Sequence, residues 1–107
     1  MRILFDQGTP VPLRDALVGH EVVTAYEAGW STLRNGELLL AAENACCDVL
    51  VTTDTNLRYQ QNLASRQIAI VVLRTTRWPR IRQQLPRVID TIARCTRGTY
   101  LEVEFDA

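Results

Sequence analysis

At 107 residues the chain is long enough for a single domain with one buried core, expected to span 1–107, and too short for two. Its 47% hydrophobic and 22% charged residues exclude a disordered composition, and no apolar run approaches the roughly 20 residues of a membrane span. The N-terminus meets Asp6 too early for a secretory leader, so the expected location is the cytoplasm.

The net charge of zero hides a division. Every basic residue is arginine, and seven of them (74, 77, 80, 82, 87, 94 and 97) lie in one segment that contains a single acid, Asp90. Residues 1–56 hold eight acids against Arg2, Arg14 and Arg34. An acidic front half beside a basic back half suits a nucleic-acid or acidic-partner surface; arginines coating the outer face of one helix account for it almost as well.

In chain order, ILF (3–5) predicts a short strand entering Asp6, and PVPLRDALV (10–18) a short helix with Pro10 in its first turn. His20, the lone histidine, reads as a turn residue opening the strand EVVT (21–24). Asn35 is a suitable N-cap for a helix to about Cys46, buried through Leu38, Leu39, Ala41, Ala42 and Ala45. DVLVT (48–52) predicts a buried strand, and residues 55–65 an amide-rich helix. IAIVVL (68–73) has the unbroken apolar character of a central strand covered on both faces. From Pro79 the spacing of Ile81, Leu85, Val88 and Ile92 is helical, with Pro86 kinking or dividing the helix. YLEVEF (100–105) alternates as an edge strand does. Cys46 and Cys47, adjacent and without zinc-site spacing, read as small buried hydrophobes. This β–α alternation predicts an α/β fold of three layers: a mostly parallel sheet of about five strands with helices on both faces. Ligands bind such sheets at the C-terminal ends of the strands.

Three carboxylates are expected at that edge. Asp6 ends the first strand, Asp54 ends the third, and Glu37 lies in the first turn of the helix after the second. Converging carboxylates repel unless a cation or proton intervenes, and hard oxygen donors favour Mg²⁺ or Mn²⁺ over zinc. Such an ion activates water and stabilises charge on phosphate, which is nuclease chemistry. Each acid also has a local explanation: an Asx turn for Asp6, the helix macrodipole for Glu37, a cap for Asp54. Asn56 and Gln60, four apart, would share a helix face beside Asp54, in the ion's outer shell or on phosphate and sugar oxygens. Tyr26 and Trp30, in the loop before the Glu37 helix, could stack on a base or serve as core or partner contacts.

An Asp ending the first strand and followed by Gln7, the GHEVVTA stretch, the GW…NGELLLAAE segment and DVLVTTDTNLRYQQN together resemble the DUF5615 group of PIN-like proteins. The resemblance covers residues 1–73, and the WP…I pattern of the last helix is similar as well. It implies a compact ribonuclease fold whose acidic Mg²⁺ or Mn²⁺ pocket is carried by Asp6, Glu37 and Asp54, with Asn56 nearby. Many PIN domains are toxins of toxin–antitoxin pairs, which implies RNA as substrate and a small DNA-binding antitoxin as partner. A homodimer is left open, and no membrane is implied. Arg74, Arg77 and Arg80 are the arginines expected to hold the RNA backbone, with Asn56 and Gln60 assisting. Gln7 and Gly8 stand where many relatives carry an acid or Asn, Asn35 and Gly36 precede a single Glu37, and Arg74 stands where a fourth acid is common. These departures favour an alternative, a catalytically inactive PIN-like scaffold that binds RNA or a protein. A receiver-like phospho-acceptor at Asp54 ranks last, since it requires an acidic pair after the first strand and a lysine, and the chain has no lysine.

Overall fold

The computed structural model describes residues 1–57 and 66–105. Five strands form one sheet: β1 (Arg2–Phe5), β2 (Glu21–Thr24), β3 (Val49–Thr52), β4 (Ala69–Leu73) and β5 (Tyr100–Val103). Their spatial order is β2-β1-β3-β4-β5, and every neighbouring pair is parallel. The central strands β3 and β4 are buried along their whole length, which is why their sequences are continuous apolar runs. The edge strands β2 and β5 are each fully buried only at their last residue.

Alternate side chains of the strands enter two cores, one on each face of the sheet. On one face Ile3, Phe5, Val49, Val51, Val71 and Leu73 pack with Leu13, Ile81, Val88 and Ile92. On the other, Leu4, Leu50, Ile70 and Val72 pack with Leu38, Leu39, Ala42 and Leu57. The first face carries a 3₁₀ helix (Val11–Ala16), α2 (Trp78–Gln83) and α3 (Leu85–Ala93); the second carries α1 (Asn35–Asn44). The result is the three-layer α/β arrangement that the periodicities predict. One connection departs from the usual rule. The β4-to-β5 crossover runs on the same face as the β1-to-β2 connection but in the opposite direction along the sheet, so the two have opposite hands. This puts the arginine-bearing helices behind the sheet from α1.

Local chemistry explains the element boundaries. The predicted helix at 10–18 is a shorter 3₁₀ helix, because Pro10 and Pro12 remove two backbone donors and leave little for i→i+4 bonding. Arg34, not Asn35, occupies the N-cap of α1, and no side chain caps the helix; Asn35 is its first helical residue. Pro86 divides the last helical segment: α2 ends at Gln83, and α3 begins with Pro86 in its first turn. The predicted helix at 55–65 falls mostly outside the described residues, with Thr55 and Asn56 forming a turn before Leu57.

Cys47 is buried as expected, but Cys46 is exposed, and this corrects the reading of both as core residues. Cys46 has φ 62°, the left-handed conformation that ends α1, with its N–H on the Glu43 carbonyl and the Cys47 N–H on the Ala42 carbonyl. Burial pushes the Cys47 and Cys95 thiols above their ordinary pKa. Because an L side chain is strained at this φ, Cys46→Gly is expected to stabilise the protein by about 0.5–1 kcal/mol, read as a raised urea midpoint.

Candidate functional site

In a parallel sheet of order 2-1-3-4-5, the connections diverge between β1 and β3, and the crevice beyond those two strand ends is the usual ligand site. Asp6 is the first residue beyond β1, and its N–H bonds the Val51 carbonyl 3.2 Å away. Asp54 follows β3 by two residues. Both line a cleft of about 480 Å³. Its floor is apolar, including Ala25, Leu38, Leu50 and Leu57, and its polar wall includes Gln7, Ser31, Arg34 and Thr52. The Gln7 side-chain amide donates to the Ser31 carbonyl at 2.9 Å, tying the loop after β1 to the loop before α1.

Asp6 is held firmly. Its Oδ1 accepts from the Gly8 N–H (3.1 Å), the Thr9 N–H (3.1 Å) and the Thr9 hydroxyl (2.8 Å), the Asx turn that its neighbours suggest. Its Oδ2 accepts from the Thr52 hydroxyl. Thr52 in turn accepts from the Asp54 N–H at 3.1 Å, so one buried hydroxyl links the ends of β1 and β3. Gly8 allows the loop to close on β3, since a Cβ there would lie 2.4 Å from Thr53 Oγ1. Asp54 Oδ1 accepts from the Asn56 N–H at 2.9 Å, a local cap for the turn that follows.

The other expected site residues are distributed differently. Glu37 is exposed and does not line the cleft, whereas Leu38 of the same helix and its N-cap residue Arg34 do. At about 100° per residue, Glu37 lies a full step round the helix from Leu38 and on the far side from Leu39. Among the described residues no three His, Cys, Asp or Glu side chains gather as a metal-holding group. Asn56 is exposed and lies outside the cleft lining, and Gln60 is outside the described residues.

Three arginines of the basic segment, Arg74, Arg80 and Arg87, hold the C-terminal strand and the residues after it. Arg74 pairs with Glu102 at 2.8 Å and with Glu104 at 3.6 Å. Arg80 donates to the Phe105 carbonyl at 3.5 Å, and Arg87 to the Glu104 carbonyl at 2.7 Å. Arg77 is exposed at the N-terminal end of α2. None of the three arginines expected to bind RNA lines the cleft.

Arg34 and Thr52 had no assigned role in the sequence. The Arg34 side chain makes no hydrogen bond or ion pair to another described residue, so its guanidinium is a free cation in the cleft. The threonine pair before Asp54 was a visible signal; Arg34, an arginine directly before a helix start, was a weaker one.

A second cavity, of about 390 Å³, adjoins the first through Asp6 and Gln7 and is also lined by Arg14, Thr24, Tyr26 and Glu27. Arg14 grips Glu27 with both terminal nitrogens, at 3.2 and 2.5 Å, and Glu27 also accepts from the Thr24 N–H at 3.0 Å. The Arg14 hydrogen bond, then the Thr24 N–H, hold the Glu27 carboxyl below its ordinary pKa of 4.5. A depressed carboxylate stabilises the fold above the unfolded-state value, and that contribution disappears as pH falls through the folded value. Glu27→Gln is therefore expected to lower the urea midpoint at pH 7, with the deficit vanishing as the pH is taken well below 4.5.

No family model, curated protein or solved structure matches the chain.

Proposed function

We propose that this protein is a cytoplasmic PIN-like endoribonuclease dependent on Mg²⁺ or Mn²⁺, and the toxin of a toxin–antitoxin pair. One observation carries the enzymatic reading: Asp6 and Asp54, leaving adjacent strands at the point where the connections diverge, line one cleft with the free guanidinium of Arg34. A cleft lined by two carboxylates and an arginine suits a phosphodiester, whose oxygens need both a hard cation and a planar donor. The toxin and antitoxin assignments rest on the resemblance to the DUF5615 group.

The donor set fits the ion. Mg²⁺ binds through one or two carboxylates, retains several waters and takes substrate phosphate oxygens as further ligands, so Asp6 and Asp54 suffice as protein ligands. When bound, it would supply Lewis-acid stabilisation of the phosphoryl oxygens and a water acidic enough to ionise near neutral pH. The chain's own residues do the rest. Thr52 and the 6–9 turn fix the Asp6 carboxylate, and the Asn56 N–H fixes that of Asp54. Arg34 holds a phosphate oxygen pair, and the apolar floor limits water in the cleft. Glu37, Asn56 and the exposed Arg77 lie further out in this reading, toward the flanking RNA.

The test is cleavage of single-stranded RNA with Mg²⁺ or Mn²⁺ and again after chelation. Chelator-sensitive cleavage supports the nuclease. The inactive RNA- or protein-binding scaffold is favoured by a specific observation: Asp6 Oδ1 already accepts three internal hydrogen bonds, and Glu37 stands off the cleft. A folded protein that binds RNA but never cleaves it would establish the scaffold instead.

A further inference from the structure

Two cavities meet at the Asp6–Gln7 corner, and one loop supplies an aromatic side chain to each. Trp30 lines the cleft on the α1 side of the sheet, where it is partly buried against the core of that face. Tyr26 lines the second cavity, on the side of the 3₁₀ helix, and is 80% exposed. Both come from the segment between β2 and α1. Volumes of about 480 and 390 Å³ are each within the range of small-ligand pockets.

We infer that the two cavities form a paired nucleobase site for single-stranded RNA, with one base against Trp30, a second on Tyr26, and a backbone phosphate on the Arg34 guanidinium of the first cavity. The inference deepens the proposed function and rests on it for the choice of RNA as ligand. Three physical points carry it. An exposed tyrosine beside a cavity is a stacking platform with little ordering cost, since its ring has few rotatable bonds. The wall behind it is cross-linked: Arg14, Glu27 and Thr24 are joined by the bonds described above, and Thr24 Oγ1 also accepts from the Glu27 N–H at 3.1 Å. The cavities also lie on opposite faces of the sheet, so consecutive bases must splay apart to enter both. A single strand does this readily; a duplex must first lose its stacking and pairing. The site therefore selects for strand state and, because every base has a stacking face, discriminates weakly by sequence.

The test uses fluorescence anisotropy in EDTA, so that binding is read without the ion and without cleavage. A short labelled single-stranded RNA and the duplex it forms with its complement are titrated with wild type, Tyr26→Ala and Tyr26→Phe. Tyr26→Ala is expected to weaken single-strand binding about tenfold, with Tyr26→Phe close to wild type and the duplex bound more weakly than the single strand. In a Trp78→Phe background Trp30 is the sole tryptophan, and its emission should be quenched on RNA addition. Equal affinity in wild type and Tyr26→Ala, no binding by wild type, or a duplex bound as tightly as the single strand would each overturn the inference. The two readings fail separately. Tyr26-dependent binding without metal-dependent cleavage removes only the nuclease, and cleavage that is indifferent to Tyr26→Ala removes only the base site.

Discussion

Asp6→Ala is expected to destabilise the protein by about 2–4 kcal/mol and to abolish any metal-dependent activity. Four donors converge on this carboxylate: the Gly8 and Thr9 N–H groups and the Thr9 and Thr52 hydroxyls. They do not lose equally. Gly8 is exposed and can turn to water, and the Thr9 hydroxyl retains the Val51 carbonyl at 2.9 Å. Thr52, only 1% exposed, would lose its acceptor, and the Thr9 N–H would keep only a long 3.3 Å bond to the Asp6 carbonyl. Leaving a buried donor unmet costs about 1–3 kcal/mol, a large part of the few kcal/mol by which small domains are stable. Asp6→Asn should cost less, because an amide oxygen still serves the three donors to Oδ1. Urea unfolding of the two variants beside wild type measures the difference; equal midpoints for all three would mean that the Asp6 network does not hold the loop.

Asp54→Asn should separate chemistry from stability. The asparagine oxygen still accepts from the Asn56 N–H and the Asp54 backbone N–H still donates to Thr52, so the stability change should stay below about 1 kcal/mol. Removing one of two anionic ligands, by contrast, should reduce RNA cleavage by at least about 100-fold. The variant should retain single-strand affinity in EDTA, because neither aromatic platform is touched. Parallel losses of folding and activity would show instead that Asp54 serves chiefly as a cap.

The sheet was legible because burial on both faces leaves no room for polar positions: VLV in β3 and AIVVL in β4 could be little else. Pro86 announced the break between α2 and α3 for a covalent reason. The left-handed Cys46 was not legible, since no residue preference marks a cysteine for that φ; only the closing bonds of α1 require it. The placement of Asp6 and Asp54 followed from topology alone, whereas that of Glu37 depends on how α1 is rotated about its axis. Leu38, Leu39 and Ala42 set that rotation by docking on the sheet, and Glu37 lies well over a quarter turn from the centre of their arc. That signal was present in the sequence, in the spacing of Leu38, Leu39 and Ala42. The engagement of Arg74, Arg80 and Arg87 was not legible for another reason. Their partners Glu102, Glu104 and the Phe105 carbonyl come from the last strand and the residues after it, and composition says nothing about which cations those groups absorb.

Calorimetric titration of Mg²⁺ and Mn²⁺ into the purified protein, beside Asp54→Asn, tests the central claim most directly. The account predicts binding by the wild type that is lost in the variant while urea unfolding of the two remains alike. A wild type that takes up neither ion at millimolar concentration and neutral pH, with its fold intact, would contradict the metal-dependent nuclease.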